Sequence, residues 1–184
     1  MTKSPSEIVK DEQLYATMGN SENSSNQYGD FKQIHVAIST ELAKEREQFP
    51  AHFPKPIHVL LPADARISDQ WQERLQQAKK YYNPENIVLF PYYTKNSHWI
   101  GVILRFNING QLERAEYIDP VVKSNFNPTK LQMEFSELFS GVVLKSMTLQ
   151  THSDPKYSAE LTIRNLLNAI KETHSTNVTS QSIN

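Results

Sequence analysis

The chain has 184 residues, a formal net charge of −1, 38% hydrophobic and 21% charged residues. That is enough to bury the core of one domain, and too balanced to draw in nucleic acid or an anionic membrane through a global field. It has no apolar run long enough for a transmembrane helix, no signal-peptide core in its first ten residues, and no cysteine, which excludes a disulfide scaffold and a Cys-based metal site.

In chain order, residues 1–30 read as an N-terminal extension that ends in a polar loop rich in Asn, Ser and Gly (residues 19–30). Residues 31–47 predict a helix, with Ile34, Ile38 and Leu42 at four-residue spacing. A short apolar run at 57–61 predicts a strand. Ser68 can cap a helix running to about residue 81, with Trp71, Leu75 and Ala78 inward. Strands are expected at 87–93, 99–106, 112–118 and 142–149. Asn127-Pro128 opens a helix whose inner face carries Leu131, Phe135 and Leu138, and 156–172 predict a last helix. Residues 175–184 read as a flexible tail or linker. Mixed helices and strands with one antiparallel pair indicate an α+β fold, a mixed central sheet flanked by helices.

Asn109-Gly110 is the strongest short hairpin signal. A two-residue turn there would set Ile108 opposite Gln111 and Ile100 opposite Asp119. His98 shares the face of Ile100, because strand side chains alternate. His98 and Asp119 would then be diagonal neighbours, within reach of an Asp–His hydrogen bond that fixes the imidazole tautomer. A register slip of one residue would part them, and a chance surface contact is the plainer alternative. Trp99 falls on the opposite face, where it either fills core or walls a groove. Gln150 follows the strand at 142–149, and a short loop then leads into the last helix. An amide donor could there meet a helix N-terminus, whose dipole lowers a thiol pKa and whose N–H groups hold an oxyanion.

Three segments carry a family resemblance: Ser97-His98-Trp99-Ile100-Gly101-Val102, then Tyr117-Ile118-Asp119-Pro120, and then Gln150 ahead of Tyr157-Ser158-Ala159-Glu160-Leu161-Thr162. Together they resemble the ubiquitin-like-protease family (clan CE cysteine proteases), nearest to bacterial effector deubiquitinases. The family has His-Trp on one strand, Asp ending the next, then Gln, then Cys-Gly opening a helix. The resemblance covers roughly residues 57–172, the region before residue 57 matches less, and the domain is expected over 31–174. It implies a papain-like fold with His98 as general base, Asp119 as its orienting acid, Gln150 as oxyanion donor and Trp99 beside the substrate's diglycine tail. Ala159 holds the nucleophile position, and Glu160 replaces the glycine that usually follows. The nine-residue step from Gln150 to Ala159 is longer than the family's, which a loop insertion would explain.

The resemblance further implies hydrolysis of the (iso)peptide bond after the C-terminal Gly-Gly of ubiquitin, or of SUMO or a Nedd-type modifier, with no cofactor and no metal. The expected partner is ubiquitin or a ubiquitin-like protein, not nucleic acid or membrane. The setting is cytosolic, the host cytoplasm for a secreted effector. Alanine cannot attack a carbonyl, so this form should be inactive. Either a cysteine has been replaced to hold uncleaved substrate, or the chain is a pseudoenzyme that only binds. A related group uses a similar order for acetyl transfer with Glu as the acid, and Asp119 argues against it. Ser158 could complete a Ser-His-Asp set but is equally placed as a helix N-cap. His152 and Asp154 make a weak metal motif, and His35, His52 and His58 lack metal-ligand spacing.

Overall fold

A computed structural model of the chain describes residues 25–80 and 85–172, with side chains in the first helix from residue 31 onward. The elements are α1 (Ser25–Gln48), a 3-10 turn (Pro50–His52), β1 (Ile57–Val59), β2 (Ala63–Asp64), α2 (Gln70–Lys80), β3 (Ile87–Tyr93), β4 (Trp99–Phe106), β5 (Leu112–Ile118), α3 (Thr129–Leu138), β6 (Leu144–Ser146), a second 3-10 turn (Pro155–Tyr157) and α4 (Ser158–Ile170). The six strands form one mixed sheet in the order β1-β3-β4-β5-β6, and β2 also pairs with β3. The pairs β3/β4 and β4/β5 are antiparallel, whereas β1 and β2 run parallel to β3, and β6 parallel to β5.

The strict alternation along β3 and β4 divides the core in two. Val88, Phe90, Tyr92, Ile100, Val102 and Leu104 face α2 and α3, where Trp71, Leu75, Leu131 and Phe135 cover them. Ile87, Leu89, Trp99 and Ile103 face the other way, against Ile34, Ile38 and Leu42 of α1 and Leu166, Leu167 and Ile170 of α4. Both faces of the central strands are thus buried, which is why β3 and β4 read as near-continuous apolar runs. α4 lies very close to β4 at Gly101: a Cβ there would come within 2.7 Å of Leu166 Cδ2.

Several expected boundaries move. α1 starts at Ser25, inside the stretch expected as a loop, so the limit drawn at residue 30 falls within a helix. A nucleated helix propagates at little cost through polar residues that carry no apolar stripe. The strand expected at 57–61 is ordered only over Ile57–Val59, and beyond it β2, which was not expected, also pairs parallel with β3. The strand expected at 142–149 is ordered only over Leu144–Ser146. Pro155 opens a separate 3-10 turn ahead of α4. The loop expected near residue 20, residue 81 of the expected helix 68–81, and the tail at 175–184 lie outside the described residues.

The β4–β5 hairpin has the expected register at the end that matters, for a different reason. Asn107 N–H donates to Gln111 O, and Gly110 sits at φ 74°, so the turn is a three-residue loop over 108–110 rather than a two-residue one. Asn107 Oδ1 accepts from the N–H groups of Asn109 and Gln111 and holds that loop. The ladder then pairs Phe106 with Leu112 but Arg105 with Arg114, so Glu113 is bulged out. The extra residue in β5 offsets the longer turn, and Gly101 stands opposite Ile118 as a two-residue turn would have set it.

Candidate active site

At the far end of that hairpin the structure brings His98 and Asp119 together. His98 Nε2 lies 3.0 Å from Asp119 Oδ1. Asp119 also accepts from the Val121 N–H at 2.9 Å and from the Ser124 hydroxyl. Because an ionised carboxylate can only accept, Nε2 carries the proton of a neutral ring, and Nδ1 is its acceptor. Burial pushes the Asp119 carboxyl up. The hydrogen bonds from His98, Ser124 and Val121, with the charge of the imidazole when protonated, outweigh that and hold it below the usual carboxylate range.

The other ring nitrogen is also occupied. Thr94 Oγ1 lies 3.1 Å from His98 Nδ1, and the ring is only 2% exposed. Thr94 is the last residue before the β3–β4 turn. Its N–H donates to His98 O, and the turn closes from Ser97 N–H to Thr94 O with Ser97 at φ 61°. A non-glycine residue in that left-handed region is uncommon and marks a turn that fixes the direction of the next strand. The ring of Phe126, on the loop ahead of α3, meets the imidazole edge-on at 6.4 Å.

The first turn of α4 reaches the same place from the opposite side of the sheet. Trp99 pairs with Tyr93 across β3/β4 but exchanges no ladder bonds there, so its N–H and C=O point toward β5. β5 stops at Ile118, and Pro120 has no N–H to give. Two hydroxyls of α4 take the vacated places. Ser158 Oγ accepts from Trp99 N–H at 3.0 Å, and Thr162 Oγ1 donates to Trp99 O at 3.2 Å. The four-residue step between them puts both on one helix face. The peptide that follows His98 is therefore fixed to the start of α4.

Ser158 does not serve as the N-cap. It is helical (φ −63°, ψ −36°), and its hydroxyl is spent on Trp99, while Asp154 caps the preceding 3-10 turn by accepting from Lys156 N–H at 3.0 Å. Ala159 is half-buried and packs on the α1/α4 side of the sheet. Trp99 is 7% exposed and packs edge-on against Phe31 (4.7 Å) and Tyr93 (5.0 Å). The backbone of Gln150 is clamped two turns along α4 from Ala159. Its N–H donates to Asn165 Oδ1 at 3.1 Å, and its C=O accepts from Asn165 Nδ2 at 2.9 Å. Its side chain is exposed. His152 Nδ1 accepts from Asp154 N–H, and its backbone pairs with the 120–122 segment just past Asp119. Among the described residues no group of three or more His, Cys, Asp or Glu is arranged to hold a metal ion, and no helix is long and apolar enough to cross a membrane.

Thr94, Ser124, Thr162 and Asn165 were not legible as site residues. The one signal for the hydroxyls of α4 is Pro120: a proline opposite Trp99 leaves that peptide without a ladder partner, and something hydroxylic must replace it.

The structure is similar to that of the Legionella pneumophila effector protein RavZ, with a TM-score of 0.57 at 10% identity, over 76% of this chain and 54% of that one. A structure of AvrA delL154 with IP6 and CoA matches with a TM-score of 0.45 at 11% identity, over 91% of this chain and 62% of that one. The chain thus spans about half the length of the RavZ chain it matches. No family model matches it, and comparison with curated proteins gives no significant match. The likeness to RavZ shows the fold, an α+β domain with helices on both faces of a mixed sheet.

Proposed function

We propose that this chain is a clan CE-type cysteine protease domain directed at ubiquitin or a ubiquitin-like modifier, which in this form binds without cutting because residue 159 is alanine. The observation that carries the proposal is the His98–Asp119 hydrogen bond of 3.0 Å, at the point where the first turn of α4 is bound to the peptide after His98. A base with an oriented tautomer beside a helix N-terminus is what thiol activation requires. In a form carrying cysteine at 159, His98 Nδ1 takes the thiol proton. The thiolate attacks the carbonyl of the modifier's terminal glycine, and the oxyanion is held by α4 N–H groups with the Gln150 amide. Collapse expels the amine, which takes the proton back from the imidazolium, and water then hydrolyses the thioester with His98 as base. The setting is the cytoplasm of a host cell, as for a bacterial effector.

One observation favours a second reading, a binding module without catalysis. Thr94 Oγ1 already occupies the nitrogen that would face the thiol, and the ring is almost wholly buried. The A159C variant separates the two. Offered ubiquitin, SUMO and Nedd-type probes that trap active thiols, it forms an adduct with its own modifier if the protease reading holds. Failure to react while the parent still binds one of these modifiers in a titration supports the second reading. An absence of both reaction and binding refutes each.

A further inference from the structure

A groove of about 780 Å³ runs between the N-terminal end of α2 and α3 and opens beside the β3–β4 turn that carries His98. Its floor is apolar and aromatic, formed by Trp71, Tyr92, Phe126 and Leu131. Its walls are polar in a particular way. Asp69 stands at the head of α2, and Glu134 and Glu137 stand one turn apart on α3. Asp69 and Glu137 have no ion-pair partner among the described residues, and Glu134 meets only the well-exposed Lys130, at 3.6 Å. The remaining acid, Asp64, is neutralised by the Arg66 guanidinium at 2.7 Å. Lys95 is the groove's other cation, and it lies on the turn next to His98, away from α3. The amides Asn96 and Asn125 flank the same end.

From this arrangement we infer that the groove is a docking site for an extended peptide segment carrying basic side chains, seated with those side chains against Asp69, Glu134 and Glu137. An aromatic floor takes the apolar stems of arginine or lysine, and the carboxylates above it, two of them without an ion-pair partner among the described residues, take the charged heads. Primary amides on the rim match the donors and acceptors of an extended main chain, which a helix would keep to itself. Burial pushes the Tyr92 phenol up to about 12, and the charge of Glu134 adds to it in the same direction. Lys95 sets the polarity, since it repels a basic side chain at the His98 end, while at the α2–α3 end Asp69, Glu134 and Glu137 outnumber Lys130. The site lies on the face of the sheet opposite Trp99 and α4, so it is separate from any groove beside Trp99.

The test uses the full chain and three fluorescein-labelled peptides of one length: one alternating Arg with Leu and Gly, the same sequence with Gln for Arg, and the same with Glu for Arg. In a fluorescence-polarisation titration at low salt the Arg peptide binds, the Gln peptide binds at least about tenfold more weakly, and the Glu peptide does not bind. Added salt weakens the Arg peptide most. The E134Q/E137Q variant weakens the Arg peptide by about tenfold with its melting temperature little changed, because Glu137 is exposed and Glu134 gives up only its 3.6 Å pair with the well-exposed Lys130. An E41Q/E160Q variant on the other face of the sheet binds like the parent. Equal binding of the Arg and Glu peptides, or unchanged binding by E134Q/E137Q, overturns the inference. The readout involves neither a modifier nor residue 159, so it can fail while the protease reading stands, and the reverse.

Discussion

The approach of α4 to β4 at Gly101 gives the sharpest test of how the site is held. Replacing Gly101 with alanine would put a Cβ 2.7 Å from Leu166 Cδ2 and 2.8 Å from its Cγ. Optimal carbon contacts are about 3.5–4.0 Å, so either Leu166 or the helix must give way by most of an ångström. Leu166 is fully buried and its Cγ is a branch point, so a simple rotation of the chain end does not relieve the clash. Overpacking of that kind costs about 1–3 kcal/mol, which for a domain of this size lowers the melting temperature by about 2–12 °C. Thermal unfolding followed by circular dichroism measures it. Leu166→Ala alone should cost about 2–5 kcal/mol through the cavity it leaves. In the double variant the new methyl group occupies part of that cavity. Its loss should then fall short of the sum of the two singles by more than about 0.5 kcal/mol. An unchanged melting temperature for Gly101→Ala, or additive losses in the double variant, would refute the close approach and with it the placement of residue 159.

Three further outcomes rest on the hydrogen bonds. Asp119 is held below the usual carboxylate range in the folded state, so its contribution to stability is fully present above the unfolded value of about 3.9 and is lost as pH falls through the folded one. Acid unfolding of the parent should therefore be steeper below about pH 4 than that of Asp119→Asn, and parallel acid curves would count against the pair. Asn165→Ala unclamps the Gln150 backbone, should cost about 1–3 kcal/mol, and should speed hydrogen exchange at the Gln150 amide more than at α4 amides. In the A159C background, Thr94→Val frees His98 Nδ1. The thiol pKa, read from the pH dependence of alkylation, should fall by at least about one unit relative to A159C alone, and equal values would show that the Thr94 hydroxyl does not compete for the ring.

The fold was readable where side-chain periodicity was strong and unreadable where backbone geometry decided. β3 and β4 have the expected limits because both core faces impose apolar residues along them, and β5 has them because it completes the hairpin that starts at β4. β2 was missed, since two residues pairing with a strand end leave no pattern, and the start of α1 was missed because a helix can extend through residues with nothing to bury. The hairpin shows how a right register can rest on a wrong turn: no residue type announces that Glu113 bulges to offset an extra loop position. In the site, the adjacency of His98 and Asp119 followed from alternation together with the register assumed at Asn109-Gly110, which the bulge at Glu113 restores. Thr94 did not, because its meeting with His98 depends on the left-handed Ser97, which a serine does not signal. Asn165 is fully buried in mid-helix, and its use as a clamp on a distant loop depends on tertiary placement.

The bonds that hold the site together are independent of the residue at 159. The peptide after His98 is tied to α4 by Ser158 and Thr162, the ring by Asp119 and Thr94, and the loop that precedes α4 by Asn165 and by the pairing of His152 with the 120–122 segment. Ala159 takes no side-chain part in any of these bonds. A thiol at that position adds one sulfur to a half-buried point and removes no hydrogen bond, so exchange between cysteine and alanine costs little in stability in either direction. Chemistry and architecture are therefore separable here. On the protease reading proposed above, the domain presents the same surface with alanine or cysteine at 159, and binding by the parent chain, rather than turnover, is the measurement that bears first on that reading.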